Sequence, residues 1–215
     1  MSSVALALQP GAFLRSIEAS RATIGRPAVK LLDVISHVRT LTVDAPYAVI
    51  GGLAQILWAR KTHTDDIDVA LASADLASAR ERVESGAAGT SWSVPAPPNS
   101  AFEDDDVFQV FHAQHDGAVV DLIAFRDAAF NAEIIATAVA VAELDGARFV
   151  RPELLLVTQL LRPGPTGALA ALELLIARRS HGGLDEDEVR RWAERLGRGE
   201  RLRRVEAQAA VFEVM

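Results

Sequence analysis

The chain has 215 residues, a formal net charge of −7 and no cysteine. This length is ample for a proper core, and the missing cysteines exclude disulfides, thiolate metal sites and cysteine nucleophiles. The acidic balance argues against a protein that coats nucleic acid through its overall field.

Hydrophobic residues make up 50% of the chain and charged residues 24%, an ordinary globular composition. The apolar runs are too short and too interrupted to span a bilayer. The opening "MSSVALALQPGAFLRSIE" lacks the basic segment and sustained apolar core of a secretory signal. A cytoplasmic protein with no membrane partner is therefore expected.

In chain order, residues 1–26 suggest weak order or a short helix around 12–20. "PAVKLLDVISHVRTL" (27–41) has helical apolar spacing behind a proline suited to a first turn. "YAVIGG" (47–52) reads as a short strand closed by a tight glycine turn, and "LAQILWAR" (53–60) as a helix opening from it. "DDIDVAL" (65–71) is a strand. "SADLASARERVESGA" (73–87) is a helix with Ser73 or Asp75 as its cap. A Pro/Asn/Ser-rich loop (95–106) precedes two strands, "VFQVFHA" and "AVVDLIAF", joined by the turn "QHDG". "ATAVAVAELDGARFV" is a hairpin turning at Asp145-Gly146. From Pro152 onward four helices follow, punctuated by "RPGPTG" and "SHGG". The fold class is thus α/β (α+β), a mixed sheet flanked by helices. An α/β region spans residues 1–150 and a helical region residues 151–215.

Asp66 and Asp68 are two apart, so on a strand both point to one face while Ile67 and Val69 face the core. Asp121 is a third lone carboxylate in an apolar strand. Carboxylates in such runs are costly unless a cation sits among them. If the two strands are neighbours, three hard oxygen ligands converge, a donor set suited to Mg²⁺ or Mn²⁺. Gly51-Gly52, a turn without side chains at a helix N-terminus, lets backbone N–H groups approach a phosphate.

The succession of apolar strand, Gly-Gly, helix and Thr-x-Asp-Ile-Asp, with "VVDLIAF" later, resembles the nucleotidyltransferase superfamily with its polymerase-beta-like fold. "VIGGLAQILWARKTHTDDIDVAL" resembles in particular the AbiEii-like, toxin-type bacterial branch. The helix beginning "RPELLLVTQLL" is similar to the family helix that crosses the nucleotide. The likeness covers roughly residues 46–161. It implies that Gly51 and Gly52 cradle the β/γ-phosphates of a nucleoside triphosphate. It implies that Asp66, Asp68 and Asp121 are the catalytic and metal-holding residues, with Asp121 completing the site or deprotonating the acceptor hydroxyl. Thr64 matches the family threonine, and Arg60 and Lys61 lie close to the place of a family arginine, so all three are candidate nucleotide-binding residues. The chain departs from the pattern at Thr62, where that arginine usually stands, and at Gln159, where the crossing helix usually carries a lysine.

The function so implied is Mg²⁺-dependent transfer of a nucleoside monophosphate from an NTP to a hydroxyl on RNA (such as a tRNA end), a protein or a small molecule. It includes the role of toxin beside an antitoxin protein. The alternative is a nucleotide-binding module without turnover, acting as a sensor or a protein partner. Outside this constellation, the acidic cluster at 103–106 reads as solvated. The five histidines show no ligand spacing, though His63 lies near the nucleotide turn. Trp58, Trp92 and Trp192 read as packing residues. "RRWAERLGRGERLRR" (190–204) reads as a helix face of Glu/Arg pairs, with a local RNA-holding patch as the rival.

Overall fold

The computed structural model describes residues 31–42, 45–59, 64, 66–89, 91–94, 107–115, 118–144, 146–181 and 183–213. The helix expected at 12–20, the loop at 95–106 and position 145 of the hairpin turn lie outside this set.

A seven-stranded mixed sheet has the order β3-β4-β5-β2-β1-β7-β6. Its strands are β1 (Tyr47–Val49), β2 (Asp66–Leu71), β3 (Trp92–Ser93), β4 (Phe108–His115), β5 (Ala118–Phe125), β6 (Val139–Val141) and β7 (Ala147–Phe149). The helices are α1 (Leu31–Leu41), α2 (Gly51–Trp58), α3 (Ser73–Glu84), α4 (Ala128–Ala136), α5 (Pro152–Leu161), α6 (Gly164–His181), α7 (Glu186–Arg195) and α8 (Gly199–Glu213). The mixed α/β architecture read from the sequence is the one observed.

The central strands are the apolar ones because both their faces are covered. β2 runs antiparallel to β1 and parallel to β5, and β1 runs parallel to β7. Ile67, Val69, Leu71, Val120 and Leu122 are fully buried. One buried cluster extends from Val34 in α1 to Ala209 in α8, so the helices after β7 share the core of the sheet. Asn131 of α4 ties the sheet together: its amide donates to the Leu71 carbonyl at 2.9 Å and its carbonyl accepts from the Phe125 N–H at 3.0 Å. Every residue of α5 is buried, which explains a helix that is apolar all round and opens on Pro152 at its first position.

Several local expectations are corrected. Neither Ser73 nor Asp75 caps α3. The strand runs directly into the helix through Ala72, which offers no side-chain cap, and Asp75 sits in the first turn, where its charge suits the helix dipole. Helix α2 begins at Gly51, two residues early, because the glycine turn is itself the first helical turn. "RPGPTG" is not a linker: α6 starts at Gly164 with Pro165 in its first turn, where a missing N–H costs nothing. β4 continues to His115 and β5 starts at Ala118, so the hairpin loop is two residues rather than "QHDG". β3 was not expected; two residues are too few to show a period, and it forms by pairing with Gln114 and His115.

Candidate functional site

The parallel pairing of β2 with β5 sets Asp68 beside Asp121, and the period of two carries Asp66 onto the same face. The three carboxylates each offer an oxygen, and all three oxygens lie within 4.8 Å of one another. At that separation, with an effective dielectric constant near 20, each charged pair repels by roughly 3 kcal/mol. A single hydrogen bond to a charged group returns about 1.5–3 kcal/mol. The cluster therefore calls for a cation or a proton.

The surroundings show how each group is held. Thr64, 4% exposed, turns its hydroxyl to Asp66 and donates to Oδ1 at 2.8 Å. Asp68 leans on the glycine turn, where the Gly52 N–H donates to its Oδ2 at 3.3 Å. Gly51 adopts φ +58°, and a Cβ there would stand 1.7 Å from that same oxygen. A side chain at Gly51 is thus excluded both by the left-handed backbone and by Asp68. Loss of solvation, reinforced by the charges of Asp66 and Asp121, pushes Asp68 up to about 7; Arg162 and the Gly52 N–H oppose the shift. Burial also raises Asp121, whose main opposing influence is the hydrogen bond from His112.

His112 is a functional candidate that the sequence reading passed over. It stands opposite Asp121 in the β4–β5 ladder, with Nδ1 2.7 Å from Oδ1. Its Nε2 is buried with no hydrogen-bond partner among the described residues. The available signal was the Asp116-Gly117 dipeptide: taken as a two-residue turn, it brings position 112 opposite 121.

These groups open onto a cleft of about 260 Å³ between the β4–β5 face and the junction of α5 with α6. Gly51, Asp68, His112 and Asp121 line one end. Phe108, Val110, Ile123 and Phe125 form an apolar wall, and Thr158, Gln159, Arg162 and Thr166 face them from the helices. Gln159 is 1% exposed, and its Oε1 has no partner among the described residues. Arg162 is a second site residue that the sequence reading did not single out. Arg60 and Lys61 lie outside the described residues, as do Thr62, His63 and the acidic cluster at 103–106.

The remaining candidates resolve into packing and pairing. Trp58 donates to the Val150 carbonyl at 2.7 Å, Trp92 packs on His115 and Trp192 on Phe130. In the arginine-rich tail, Arg190 pairs with Glu186, Asp187 and Glu206, Arg191 with Glu188, Arg195 with Asp127, Arg203 with Glu194 and Arg204 with Glu200. This is the Glu/Arg-laced helix face. Among the described residues no helix is long and apolar enough to cross a membrane.

No family model matches the chain, and no curated protein matches it. Among solved structures, a crystal structure of ANT(2")-Ia in complex with adenylyl-2"-tobramycin is similar at 16% identity and a TM-score of 0.46, with the likeness covering 82% of this chain and 99% of that one.

Proposed function

We propose that this chain is a divalent-metal-dependent nucleotidyltransferase that moves a nucleoside monophosphate from an NTP to an acceptor hydroxyl and releases pyrophosphate. The observation that carries this reading is the convergence of Asp66, Asp68 and Asp121 within 4.8 Å at the mouth of a cleft, beside a glycine turn. The donor set fits Mg²⁺ or Mn²⁺. It is all oxygen, mutually repelling, and includes a carboxyl that burial and its two acidic neighbours drive up to about 7. When bound there, the metal supplies Lewis-acid polarisation of the phosphoryl oxygens.

The chain's own residues do the rest. Thr64 fixes the rotamer of Asp66, the Gly52 N–H fixes Asp68, and Gly51, with no side chain, lines the cleft where the β/γ-phosphates would lie. Asp121 accepts the acceptor's proton as the acceptor oxygen bonds to the α-phosphorus and the bond to pyrophosphate breaks. His112 holds Asp121 in its ionised form by hydrogen bonding. In this reading Arg60 and Lys61 contact the nucleotide, by the family likeness alone. The proposed site lies between the two expected regions, residues 1–150 and 151–215, and takes residues from both. Acceptors within reach are RNA, protein or a small molecule, and the toxin role beside an antitoxin belongs to the same reading.

A second reading, a nucleotide-binding module without turnover, is favoured by the neutral, buried Gln159 at the place of a family lysine. Pyrophosphate release from each of the four NTPs, with and without Mg²⁺ and a panel of the three acceptor classes, tests the proposal. Mg²⁺-dependent release supports transfer. NTP binding without release under every condition supports the second reading, and absence of Mg²⁺-dependent binding removes both. Growth arrest on expression, relieved by a neighbouring gene product, tests the toxin role.

A further inference from the structure

Helix α5 ends at the cleft: Gln159 lies in its last turn, Arg162 follows as the extended residue that ends it, and both line the cleft. Gln159 brings no charge. Arg162 is the one lysine or arginine among the described residues lining the cleft. Its backbone is firmly placed. Arg201 of α8 donates to the carbonyls of Arg162 and Gly164 at 2.6 and 2.5 Å. Gly167 of α6 packs so closely that a Cβ would come within 2.5 Å of the Gln159 carbonyl and 2.8 Å of the Arg162 carbonyl. Its side chain, by contrast, is exposed and makes no hydrogen bond or ion pair with a described residue. It shares the cleft with Asp68 and Asp121 without pairing with either. A fixed backbone and an unengaged guanidinium lining the same cleft as two crowded carboxylates form an arrangement that a bridging polyanion completes. The planar fork of arginine matches phosphate oxygens two at a time.

We infer that Arg162 is the phosphate-recognising residue of the cleft, binding the polyphosphate of the nucleotide from the helix side, opposite the carboxylates. This rests on the nucleotidyltransferase reading above. It also places the positive charge just after the helix that holds the neutral Gln159.

Calorimetric titration of the full chain tests it, using α,β-methylene-ATP with Mg²⁺, AMP with Mg²⁺, and Mg²⁺ alone. Arg162→Gln should weaken binding of the triphosphate analogue by roughly tenfold or more, the loss of a charge-assisted bidentate contact. AMP affinity should change by less than about twofold, because the polyphosphate carries the contact. Mg²⁺ alone should bind equally or more tightly, since a cation competing for the carboxylates is gone. Arg162→Lys should fall between, keeping the charge but losing the fork. Equal affinity of the parent and Arg162→Gln for the analogue overturns the assignment. So does an equal loss for all three titrants, which would make Arg162 a group that only shapes the acid cluster. If the parent protein itself does not bind the analogue, the nucleotidyltransferase reading falls and this inference falls with it.

Discussion

Two groups of three carboxylates differ in where their cation comes from. At the start of α5, Arg151 gathers Glu188 at 2.7 Å, Glu133 at 3.7 Å and Glu153 at 3.8 Å around one guanidinium. Burial works against the charge of Arg151, yet Glu188, Glu153 and Glu133 together raise its pKa above the ordinary arginine value. In the cleft, Asp66, Asp68 and Asp121 crowd within 4.8 Å with no such arginine among them, and Asp68 rises to about 7. The first cluster is satisfied within the chain and joins α4, α5 and α7. The second is left for something from solution. The same residue chemistry is structural where the chain provides the counter-charge; where it does not, the cluster is the site proposed above.

The contrast is sharpest when one member of each cluster is removed. Asp66→Ala or Asp68→Asn should abolish turnover, by roughly a thousandfold or more if a metal ligand worth several kcal/mol in the transition state is lost. Either change should leave the melting temperature unchanged or raised, because it relieves repulsion. Pyrophosphate release and thermal melts in parallel decide it, and a folded variant with full activity removes the metal role.

Arg151→Met should do the reverse. Removing the shared partner leaves Glu153 without its ion pair and Glu188 with Arg191 alone at 3.6 Å, although both side chains are mostly buried. The expected cost is about 3 kcal/mol in denaturant unfolding, with activity per folded molecule kept. A loss of activity without a loss of stability would place Arg151 in the site instead.

Between these extremes, His112→Ala removes the hydrogen bond that opposes the upward shift of Asp121. Turnover should fall roughly ten- to a hundredfold, as for other supporting partners of metal ligands. The acidic limb of the activity profile should move as well: Asp121 loses its proton at higher pH, so that limb shifts upward. An unshifted profile would make His112 a packing residue.

The acid cluster also predicts a pH signature. Asp68 has a folded-state value of about 7 against 3.8 when unperturbed, so the folded protein holds a proton that the unfolded chain releases. Its contribution to stability is complete below pH about 4 and is lost as pH rises through about 7. Metal-free protein should therefore melt lower at pH 8 than at pH 5.5. The stabilisation given by Mg²⁺ should grow over the same interval, and Asp68→Asn should flatten both trends. Identical Mg²⁺ shifts at the two pH values would contradict the assignment.

The smallest effect is expected where arginines and carboxylates meet in solvent. Arg204→Ala breaks a surface pair with Glu200 and should change stability by no more than about 0.5 kcal/mol. A larger loss in chemical denaturation would mean the tail network acts as a unit.

Local pattern alone determined much of this protein. The run "DIDVAL" put Asp66 and Asp68 on one face because side chains on a strand alternate, a property of the backbone that needs no partner. Strand β5 and helix α5 were equally readable, since apolar periodicity and Pro152 are local signals. Tertiary structure decided what those residues meet. A turn of four residues, "QHDG", pairs position 113 with 118 and sets Val110 opposite Asp121. The observed two-residue loop moves the pairing by two and sets His112 there instead, so the partner of the third carboxylate hung on the length of one turn. Gly51 was legible as a turn glycine, but the intolerance of a Cβ there arises from Asp68, 17 positions away in the chain and brought close only by the sheet. Arg162 carried no signal at all. It is an ordinary arginine after an apolar helix until α6 and α8 clamp its backbone beside the cleft that Asp68 and Asp121 line, a placement set by packing between segments distant in sequence.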